Sequence, residues 1–479
     1  MFAALAVRTR ELDQPVVRFH PTRHYRSAVL ARACYYDHAS GIPASAKAVA
    51  DANRVMQPVG EPPVMEWLAC AAYLAGGAEN ILIPRTIAVL VWVAGAIPVS
   101  LIAVRVASPT AAIVASALYL FLPYSIVASR NFQPDGLMTL ASLWAMLALL
   151  RYRDDPRRSR LIVAATLIGI AGLIKPMSIF LTIPTVVAVA AFPAGARTRR
   201  SIVRASALVA GGLLPPLLYY GAEALTGTLV QDQMRMRFEP HLIATPFFWR
   251  GLITMAARVE TLPLLGLTVI GMFVAPDRLA RRLLAALLAG YASFAMAFTY
   301  HMPTHDYYHL PYVAVVALGV AVVFARCERI VSSRTAELLA LVLATVIAVV
   351  GSRIAWPRLH VDDADHLARM YEEIGALTDH DTRALFLDTE YGYALMYHGQ
   401  ISGDAWPNRD DLAAEAIDGR PAVDADTRYA RDFEGWGPNY FVVTDLGSFD
   451  ASPDLATMLD RHATPVRITN QYRVYRFMR

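Results

Sequence analysis

The sequence has few cysteines and lacks the motifs that bind a structural metal. Its three cysteines are Cys34, Cys70 and Cys327, and no Cys-x-x-Cys pair or Cys/His zinc spacing accompanies them. These absences exclude a zinc-stabilised module and a disulfide-rich scaffold. Because Cys327 lies in an arginine-rich stretch typical of cytoplasmic loops, at most one disulfide is expected on the other side of a membrane.

Charged residues are also scarce, at 18% of the chain with a net charge of +4, whereas 56% of the residues are hydrophobic. The arginines form short clusters between apolar runs, and no basic patch predicts a nucleic-acid partner. At a mean hydropathy of +0.38, a soluble protein would need about ten apolar helices with little amphipathic stripe. The composition therefore predicts a polytopic membrane protein.

The order of apolar runs and arginine clusters predicts the topology. Clusters begin at Arg151, Arg197, Arg278 and Arg326, and two apolar runs separate each cluster from the next. Short cytoplasmic loops are enriched in Lys and Arg, so we assign all four clusters to the cytoplasm and each apolar run to one crossing. The predicted crossings are residues 83–104, 108–127, 137–150, 160–175, 177–193, 202–222, 260–276, 283–300, 309–326 and 336–356.

This topology places both ends of the chain outside the cytoplasm. Residues 1–82 form a first outer segment with amphipathic helices, residues 83–356 form the transmembrane bundle, and residues 357–479 form a non-cytoplasmic domain. The outer segment needs a preceding crossing, and residues 1–8 are too short to provide one. We therefore expect the chain to begin inside a truncated first transmembrane helix, for a total of about ten or eleven.

The C-terminal residues are typical of a small α/β domain. Residues 383–388 and 439–445 are short apolar runs that end in aspartate, as buried strands often do. Residues 362–378 and 451–462 have the spacing of amphipathic helices, and the alternating residues 472–477 predict a last, edge-like strand. The predicted fold is an α-helical polytopic membrane protein with a C-terminal soluble α/β domain.

Candidate site residues come from the segments predicted outside the cytoplasm. In the first segment, Arg23 and Arg26 share one face of a helix and would clamp a phosphate group by paired hydrogen bonds. The alternative is an interfacial helix whose arginines meet lipid headgroups. Glu61 and Glu66 flank two prolines before an apolar helix, where a carboxylate is costly unless it is paired or functional. An ion pair with one of these arginines is the alternative role of Glu66.

The outer loop before residue 137 contains Arg130 and Asp135. Asp135 lies at or next to the start of a helix, so it is either a functional carboxylate or a helix cap. A later loop, residues 301–311, contains three histidines, an aspartate and two tyrosines. The spacing of His305 and His309 also suits a divalent metal, although no third ligand of definite spacing follows. No cofactor is assigned.

In their order along the chain, these motifs resemble the GT-C membrane glycosyltransferases. The order is a polar outer helix, Pro-Pro before an amphipathic helix, Arg-x-x-x-Pro-Asp at the start of a crossing, Lys175-Pro at the end of one, and His-x-Tyr-Tyr-x-Leu-Pro in a late outer loop. The resemblance covers about residues 15–320. It is greatest for the branch that contains the protein O-mannosyltransferases and the lipid A aminoarabinose transferase.

The resemblance implies inverting transfer of a sugar from a polyprenyl-phosphate carrier to a protein, lipid or glycan acceptor. The expected location is the bacterial inner membrane, with membrane lipids around the bundle and the active site on the periplasmic side. Family members have an acidic base in the first outer loop, whereas residues 20–24 here contain no carboxylate. We therefore assign the base to Asp135 first, and then to Glu61 or Glu66. The donor phosphate is assigned to Arg23, Arg26, Arg130, His305 and Tyr308.

Two other functions are compatible with a polytopic chain. A transporter or lipid flippase would bind an anionic substrate through the arginines and capture it with the outer domain. Against this alternative, the sequence has no internal repeat, and its polar motifs cluster on one predicted face rather than through the membrane midplane. A non-catalytic lipid-binding or assembly protein is the third possibility.

Overall fold

The computed structural model describes residues 1–57, 60–191, 199–226 and 238–478, and most of them are helical. The chain divides into two compact units. The first comprises Met1–Leu12, Val59–Val64 and Arg85–His360, and the second comprises Asp13–Pro58, Met65–Pro84 and Val361–Arg479. Most of the predicted first outer segment therefore lies in the same unit as the C-terminal residues.

The first unit is a bundle of apolar helices. Its helices are α1 (Phe2–Arg8), α5 (Leu82–Val106), α6 (Pro109–Phe121), α7 (Pro123–Ala128), α8 (Asp135–Asp154), α9 (Arg158–Ile174), α10 (Ile179–Val186), α11 (Arg199–Thr226), α12 (Pro246–Val259), α13 (Leu262–Val274), α14 (Arg278–Ala297), α15 (His301–Thr304), α16 (Val313–Cys327) and α17 (Ser333–Ala355). Short 3-10 turns, among them Asp306–Tyr308 and Leu310–Tyr312, connect α15 to α16.

Several of these helices are long and apolar enough to cross a membrane. Among the described residues, five segments meet this description on their own, namely Leu82–Val106, Ser201–Thr226, Arg278–Ala297, Asp306–Ile330 and Ser333–Arg358. Helices α12 and α13 meet it together, with a bend of 91° between them. Each predicted crossing contains a helix, but proline shortens or breaks several of them, as at Pro123 and Pro176. The number of crossings therefore stays a prediction.

Small residues allow the helices around the later polar loop to pack closely. A Cβ atom on Gly271 of α13 would lie 2.6 Å from the carbonyl oxygen of Gly319 on α16, which is too close for any side chain. Membrane helices use such small residues to bring their backbones together. This contact brings the backbones of α13 and α16 together.

The second unit contains a five-stranded sheet in the order β2-β1-β3-β5-β4. The strands are β1 (Ala384–Leu387), β2 (Gly403–Ala405), β3 (Tyr440–Val443), β4 (Ala463–Ile468) and β5 (Arg473–Phe477). Strands β1, β2 and β3 are parallel, whereas β5 is antiparallel to both β3 and β4. Its helices are α2 (Pro21–His38), α3 (Ala44–Met56), α4 (Val64–Gly76), α18 (Ala364–Leu377), α19 (Arg409–Ile417), α20 (Ala425–Arg428), α21 (Leu446–Asp450) and α22 (Pro453–His462).

The N-terminal helices and the sheet share one core in this unit. Val29 of α2 packs in a buried cluster with Phe386 of β1 and Val474 of β5. A disulfide between Cys34 and Cys70 joins α2 to α4. The sequence analysis allowed at most one disulfide, and Cys34 and Cys70 form it.

The predicted C-terminal helices and strands are observed, with one correction. Strands β1, β3 and β5 and helices α18 and α22 coincide with the predicted segments. However, the prediction that residues 472–477 form an edge strand is wrong, because β5 lies between β3 and β4. The edge strands are β2 and β4. Strand β4 was missed because five of its six residues are exposed, so that it lacks the apolar pattern of a strand.

Candidate active site

The centre of the candidate site is a buried ion pair in the first unit. Lys175 Nζ lies 2.8 Å from Asp135 Oδ1, and the two side chains are only 2% and 3% exposed. Asp135 is the first residue of α8, after Pro134, and Lys175 follows the last residue of α9, where Pro176 prevents the helix from continuing. Pro134 occupies the cap position, so the alternative that Asp135 is merely the helix cap is wrong.

Aromatic rings surround the ammonium group of Lys175. Nζ lies 5.4 Å from the ring centre of Tyr307 and 5.3 Å from that of Tyr308, within the range of cation–π attraction. A small cavity is lined by both charged residues and by aromatic side chains including Phe294 and Tyr308. In the described part of the chain, no hydrogen bond occupies Asp135 Oδ2.

Asp306 fixes the turn that carries the two tyrosines. Its carboxylate accepts a hydrogen bond of 2.7 Å from the Tyr124 hydroxyl and one of 3.3 Å from Arg258 Nη1. Asp306 is buried, whereas the Arg258 side chain is 53% exposed. Helices α7 and α12 thus hold the turn over Lys175. The partly exposed guanidinium of Arg258 lies beside the turn.

A second buried group supports the same loop from the bend between α12 and α13. His309 Nε2 donates to the carbonyl oxygen of Met302 at 2.9 Å, and His309 Nδ1 lies 2.6 Å from the Tyr291 hydroxyl. Glu260 Oε1 lies 3.6 Å from the same Nδ1. Both Glu260 and His309 are fully buried, so this contact lies entirely within the interior of the first unit.

The histidines of this loop do not form a metal cluster among the described residues. His305 Nδ1 contacts the Thr304 hydroxyl at 2.7 Å, and its ring stacks on His301. The only group of three or more metal-ligating side chains found in the described ranges is Cys34, His38 and Cys70. Two members of that group are joined in the disulfide.

The predicted site residues fall in both units. Asp135, Glu61, Arg130, His305 and Tyr308 lie in the first unit, and Glu66, Arg23 and Arg26 lie in the second. Asp135 and Tyr308 line the same cavity. Glu61 is half-buried and interacts electrostatically with Tyr219.

The guanidinium of Arg130 is engaged with main-chain oxygens. Its Nη2 donates to the carbonyl groups of Arg10 and Glu11, and its Nη1 donates to that of Leu359 at 3.2 Å. These bonds join the N-terminal residues of the first unit to the end of its helical bundle.

The predicted residues of the second unit lie around its sheet. Glu66 accepts a hydrogen bond of 2.6 Å from the Ser27 hydroxyl. Burial raises the pKa of the Tyr393 phenol, and the guanidinium groups of Arg26 and Arg23 oppose that shift. Both arginines, on α2, therefore lie beside Tyr393, which begins the helical turns that follow β1.

The sequence analysis gave no role to four charged or titratable residues of this site, Lys175, Asp306, Arg258 and Glu260, although it quoted Lys175 in the Lys-Pro motif. One feature of the sequence singles out Lys175. The chain has only one other lysine, Lys47, and arginine takes the place of lysine everywhere else. No spacing connects Arg258 or Glu260 to the later loop, so only the fold brings them there.

Comparison with known proteins adds a family match and a shared fold. Residues 60–220 match the family model described as dolichyl-phosphate-mannose-protein mannosyltransferase. No curated protein sequence matches the chain. The structure of ArnT from Cupriavidus metallidurans bound to undecaprenyl phosphate is 14% identical, with 99% of this chain and 96% of that chain covered and a TM-score of 0.61.

An oligosaccharyltransferase from Archaeoglobus fulgidus, solved in complex with Zn and sulfate, is also similar. It is 13% identical, with 97% of this chain and 71% of that chain covered and a TM-score of 0.52. The chain therefore has the GT-C fold, and the resemblance to the GT-C membrane glycosyltransferases that its motifs predicted is confirmed.

Proposed function

We propose that this protein is an inverting membrane glycosyltransferase. In this proposal it moves a sugar from a polyprenyl-phosphate carrier to a protein, lipid or glycan acceptor on the non-cytoplasmic side of the membrane. The observation that carries the proposal is the buried Asp135–Lys175 pair beneath two tyrosines. The fold shared with a protein that was solved with undecaprenyl phosphate supports it.

Lys175 is the residue that we assign to the donor phosphate. A sugar leaves its carrier when the bond between the anomeric carbon and the phosphate oxygen breaks, and negative charge then grows on that oxygen. A preorganised ammonium group in a water-poor cavity stabilises such charge far more than it would in water. Arg258, beside the same turn, offers a second cation. Arg130, His305 and Tyr308 stay proposed contacts of the donor phosphate.

Asp135 remains our candidate for the base. The acceptor hydroxyl or amine attacks the anomeric carbon from the side opposite the phosphate, which inverts the configuration, and its proton passes to a carboxylate within hydrogen-bond reach. Lys175 contacts only Oδ1 of Asp135, so Oδ2 is the proton acceptor in this scheme. Glu61 and Glu66 are the alternatives, and Arg23 and Arg26 remain proposed phosphate contacts.

The proposed location is a bacterial inner membrane, with about ten crossings, the candidate site and the C-terminal α/β domain on the periplasmic side. The disulfide between Cys34 and Cys70 supports this orientation, because disulfides persist in oxidising compartments and are rare in the cytoplasm. It lies in the unit that also contains the sheet.

Binding of undecaprenyl phosphate to the purified protein tests the role of Lys175. Lys175→Gln should weaken binding about tenfold or more, because it removes a charged partner of the phosphate. Lys47→Gln, which changes the only other lysine, is the matched control and should bind as the wild type does.

Since Lys175→Gln leaves Asp135 without its partner, the double variant Asp135→Asn/Lys175→Gln is measured as well. It has no unpaired buried charge and should still bind undecaprenyl phosphate weakly. Binding at wild-type affinity by both variants would contradict the assignment of the phosphate to Lys175.

A further inference from the structure

A second polar cavity lies in the first unit, away from the Asp135 site. Its volume is about 410 Å³. Four arginines and two aspartates from three helices line it together with two apolar residues, and its lining includes Arg105, Arg153, Asp154, Asp277, Arg278 and Arg282. We call it the arginine cavity.

The arginine cavity is at the opposite end of the helices that carry the Asp135 site. Asp135 begins α8, and Arg153 and Asp154 end it. A rise of 1.5 Å per residue puts the two ends about 29 Å apart. Helix α14 likewise has Arg278 at its start and Phe294, a wall of the Asp135 cavity, near its end. This separation equals the roughly 30 Å thickness of the apolar layer of a membrane.

The charges of the arginine cavity favour an anion. Arg105 pairs with Asp154, and Arg153 lies 3.7 Å from the same carboxylate. Asp277 is also engaged, because its Oδ1 accepts a hydrogen bond of 2.8 Å from the backbone of Ala280 and caps α14. Four guanidinium groups therefore face two carboxylates that already have partners. Guanidinium groups bind phosphate through paired hydrogen bonds.

Apolar side chains beside the cavity favour a lipid over a water-soluble anion. Leu101 precedes Arg105 by one turn on α5 and so shares its face, and it is 37% exposed. Val187, next to the lining residue Ala188, is 44% exposed. A ligand with a phosphate group and acyl chains would contact both the guanidinium groups of the cavity and these apolar side chains.

We infer that the arginine cavity binds the phosphate headgroup of an anionic phospholipid in the leaflet opposite the Asp135 site. Basic pockets between transmembrane helices are known to hold such headgroups. Arg278 and Arg282 are the principal contacts, since both line the cavity one turn apart at the start of α14. The acyl chains lie along the exposed face of α5. This site is separate from the proposed sugar transfer.

Lipid binding to the purified protein in phosphatidylcholine nanodiscs tests the inference. Phosphatidylglycerol is titrated, and the occupancy of the protein is counted by native mass spectrometry. Each arginine near a membrane surface strengthens anionic lipid binding by a factor of about five. The double variant Arg278→Ala/Arg282→Ala should therefore bind phosphatidylglycerol roughly thirtyfold more weakly than the wild type.

Arg281→Ala is the matched control, because Arg281 belongs to the same helical turn, is exposed and does not line the cavity. It should bind phosphatidylglycerol as the wild type does. The melting temperature of each variant in phosphatidylcholine alone reports whether it has folded, and Arg278→Lys/Arg282→Lys should recover part of the affinity if the double alanine variant is unstable.

Three outcomes would overturn the inference. The first is wild-type binding by the double alanine variant, and the second is an equal loss in Arg281→Ala, which would indicate a diffuse basic surface. The third is displacement of phosphatidylglycerol by millimolar inorganic phosphate, which would assign the cavity to a soluble phosphate compound.

Discussion

At the scale of single residues, the buried ammonium of Lys175 depends on one carboxylate and two aromatic rings. The pair with Asp135 is almost fully shielded from solvent. Removing one member of such a pair leaves an uncompensated charge and costs about 3–5 kcal/mol, whereas replacing both members costs far less. Stability and activity should therefore respond differently to the two kinds of change.

We predict that Asp135→Asn lowers the melting temperature, because it leaves Lys175 charged and buried without its partner. The double variant Asp135→Asn/Lys175→Gln should recover most of the lost stability, since neither residue is then charged. Neither variant should transfer sugar at more than about 1% of the wild-type rate, because the proposed base is absent. Thermal unfolding in detergent together with a turnover assay measures both effects. Additive destabilisation in the double variant would contradict the pairing.

His398 provides a prediction about pH in the second unit. Burial, with a smaller contribution from the Arg32 guanidinium, lowers the pKa of His398 to about 4. Its unfolded-state pKa is about 6.5, so between pH 6.5 and 4 the unfolded chain binds a proton that the folded chain does not. The stability that the neutral imidazole contributes is therefore complete above pH 6.5 and falls as the pH is lowered toward 4.

The test is the melting temperature as a function of pH for the wild type and for His398→Gln. Carboxylates titrate in both proteins, so the difference between the two curves isolates the histidine. The wild type should lose more stability than the variant between pH 6.5 and 4. Parallel curves over that range would show that His398 is not held neutral by the fold.

At the scale of helices and strands, the elements that form the site come from distant parts of the chain. The turn Asp306–Tyr308 is fixed by Tyr124 on α7 and by Arg258 on α12. In the second unit, α2 is joined to α4 by the disulfide and packs on the sheet through Val29.

The disulfide supports a prediction about this pair of helices. Thirty-six residues separate Cys34 from Cys70, and closing a loop of that length removes unfolded-state entropy worth about 4 kcal/mol. Cys34→Ala/Cys70→Ala should therefore unfold at a lower temperature than the wild type, whereas Cys327→Ala should not, because that thiol is free and exposed.

Thiol counting checks the same bond directly. The unreduced, denatured wild type should react with one equivalent of a maleimide at Cys327, and the reduced protein should react with three. Three equivalents without reduction, in protein isolated from its native membrane under non-reducing conditions, would contradict the disulfide.

The sequence predicted elements that depend on local pattern and missed contacts that depend on the fold. Strands β1 and β3 were predicted because their buried residues are adjacent in the sequence, whereas β4 was missed because it is mostly exposed. Asp135 was identified from its motif, but its partner Lys175 is forty residues away. Arg130 stays a proposed phosphate contact, and no sequence pattern reveals that main-chain oxygens of residues 10, 11 and 359 also engage it.

At the scale of the whole molecule, the chain divides into two compact units. Its membrane topology is proposed from the positions of its arginine clusters. The second unit combines residues 13–58 and 65–84 with residues 361–479. Within it, the backbone N–H of Thr22 donates to Glu390 at 3.2 Å. The N-terminal and C-terminal parts of the second unit therefore fold together, so both must lie on the same side of the membrane.

Topology is tested with single cysteines in a Cys327→Ser background that keeps the disulfide. Cysteines at positions 40 and 420 should react with a membrane-impermeant maleimide in spheroplasts, whereas cysteines at 155 and 330 should react only after permeabilisation. The predicted cytoplasmic position 198 and the predicted outer position 230 lie outside the described residues. Labelling at 155, or protection at 420, would contradict the proposed orientation.

The most direct test of the central claim is release of the lipid carrier during sugar transfer. Purified wild-type protein is incubated with acceptor-containing membrane extract and a panel of undecaprenyl-phosphate sugars that are radiolabelled in the lipid, and free undecaprenyl phosphate is quantified over time. We predict release from at least one donor by the wild type and by Lys47→Gln, and none above background by Asp135→Asn or Lys175→Gln. Release that persists at the wild-type rate in both site variants, or no release from any donor by wild-type protein that binds undecaprenyl phosphate, would contradict the proposed glycosyltransferase site.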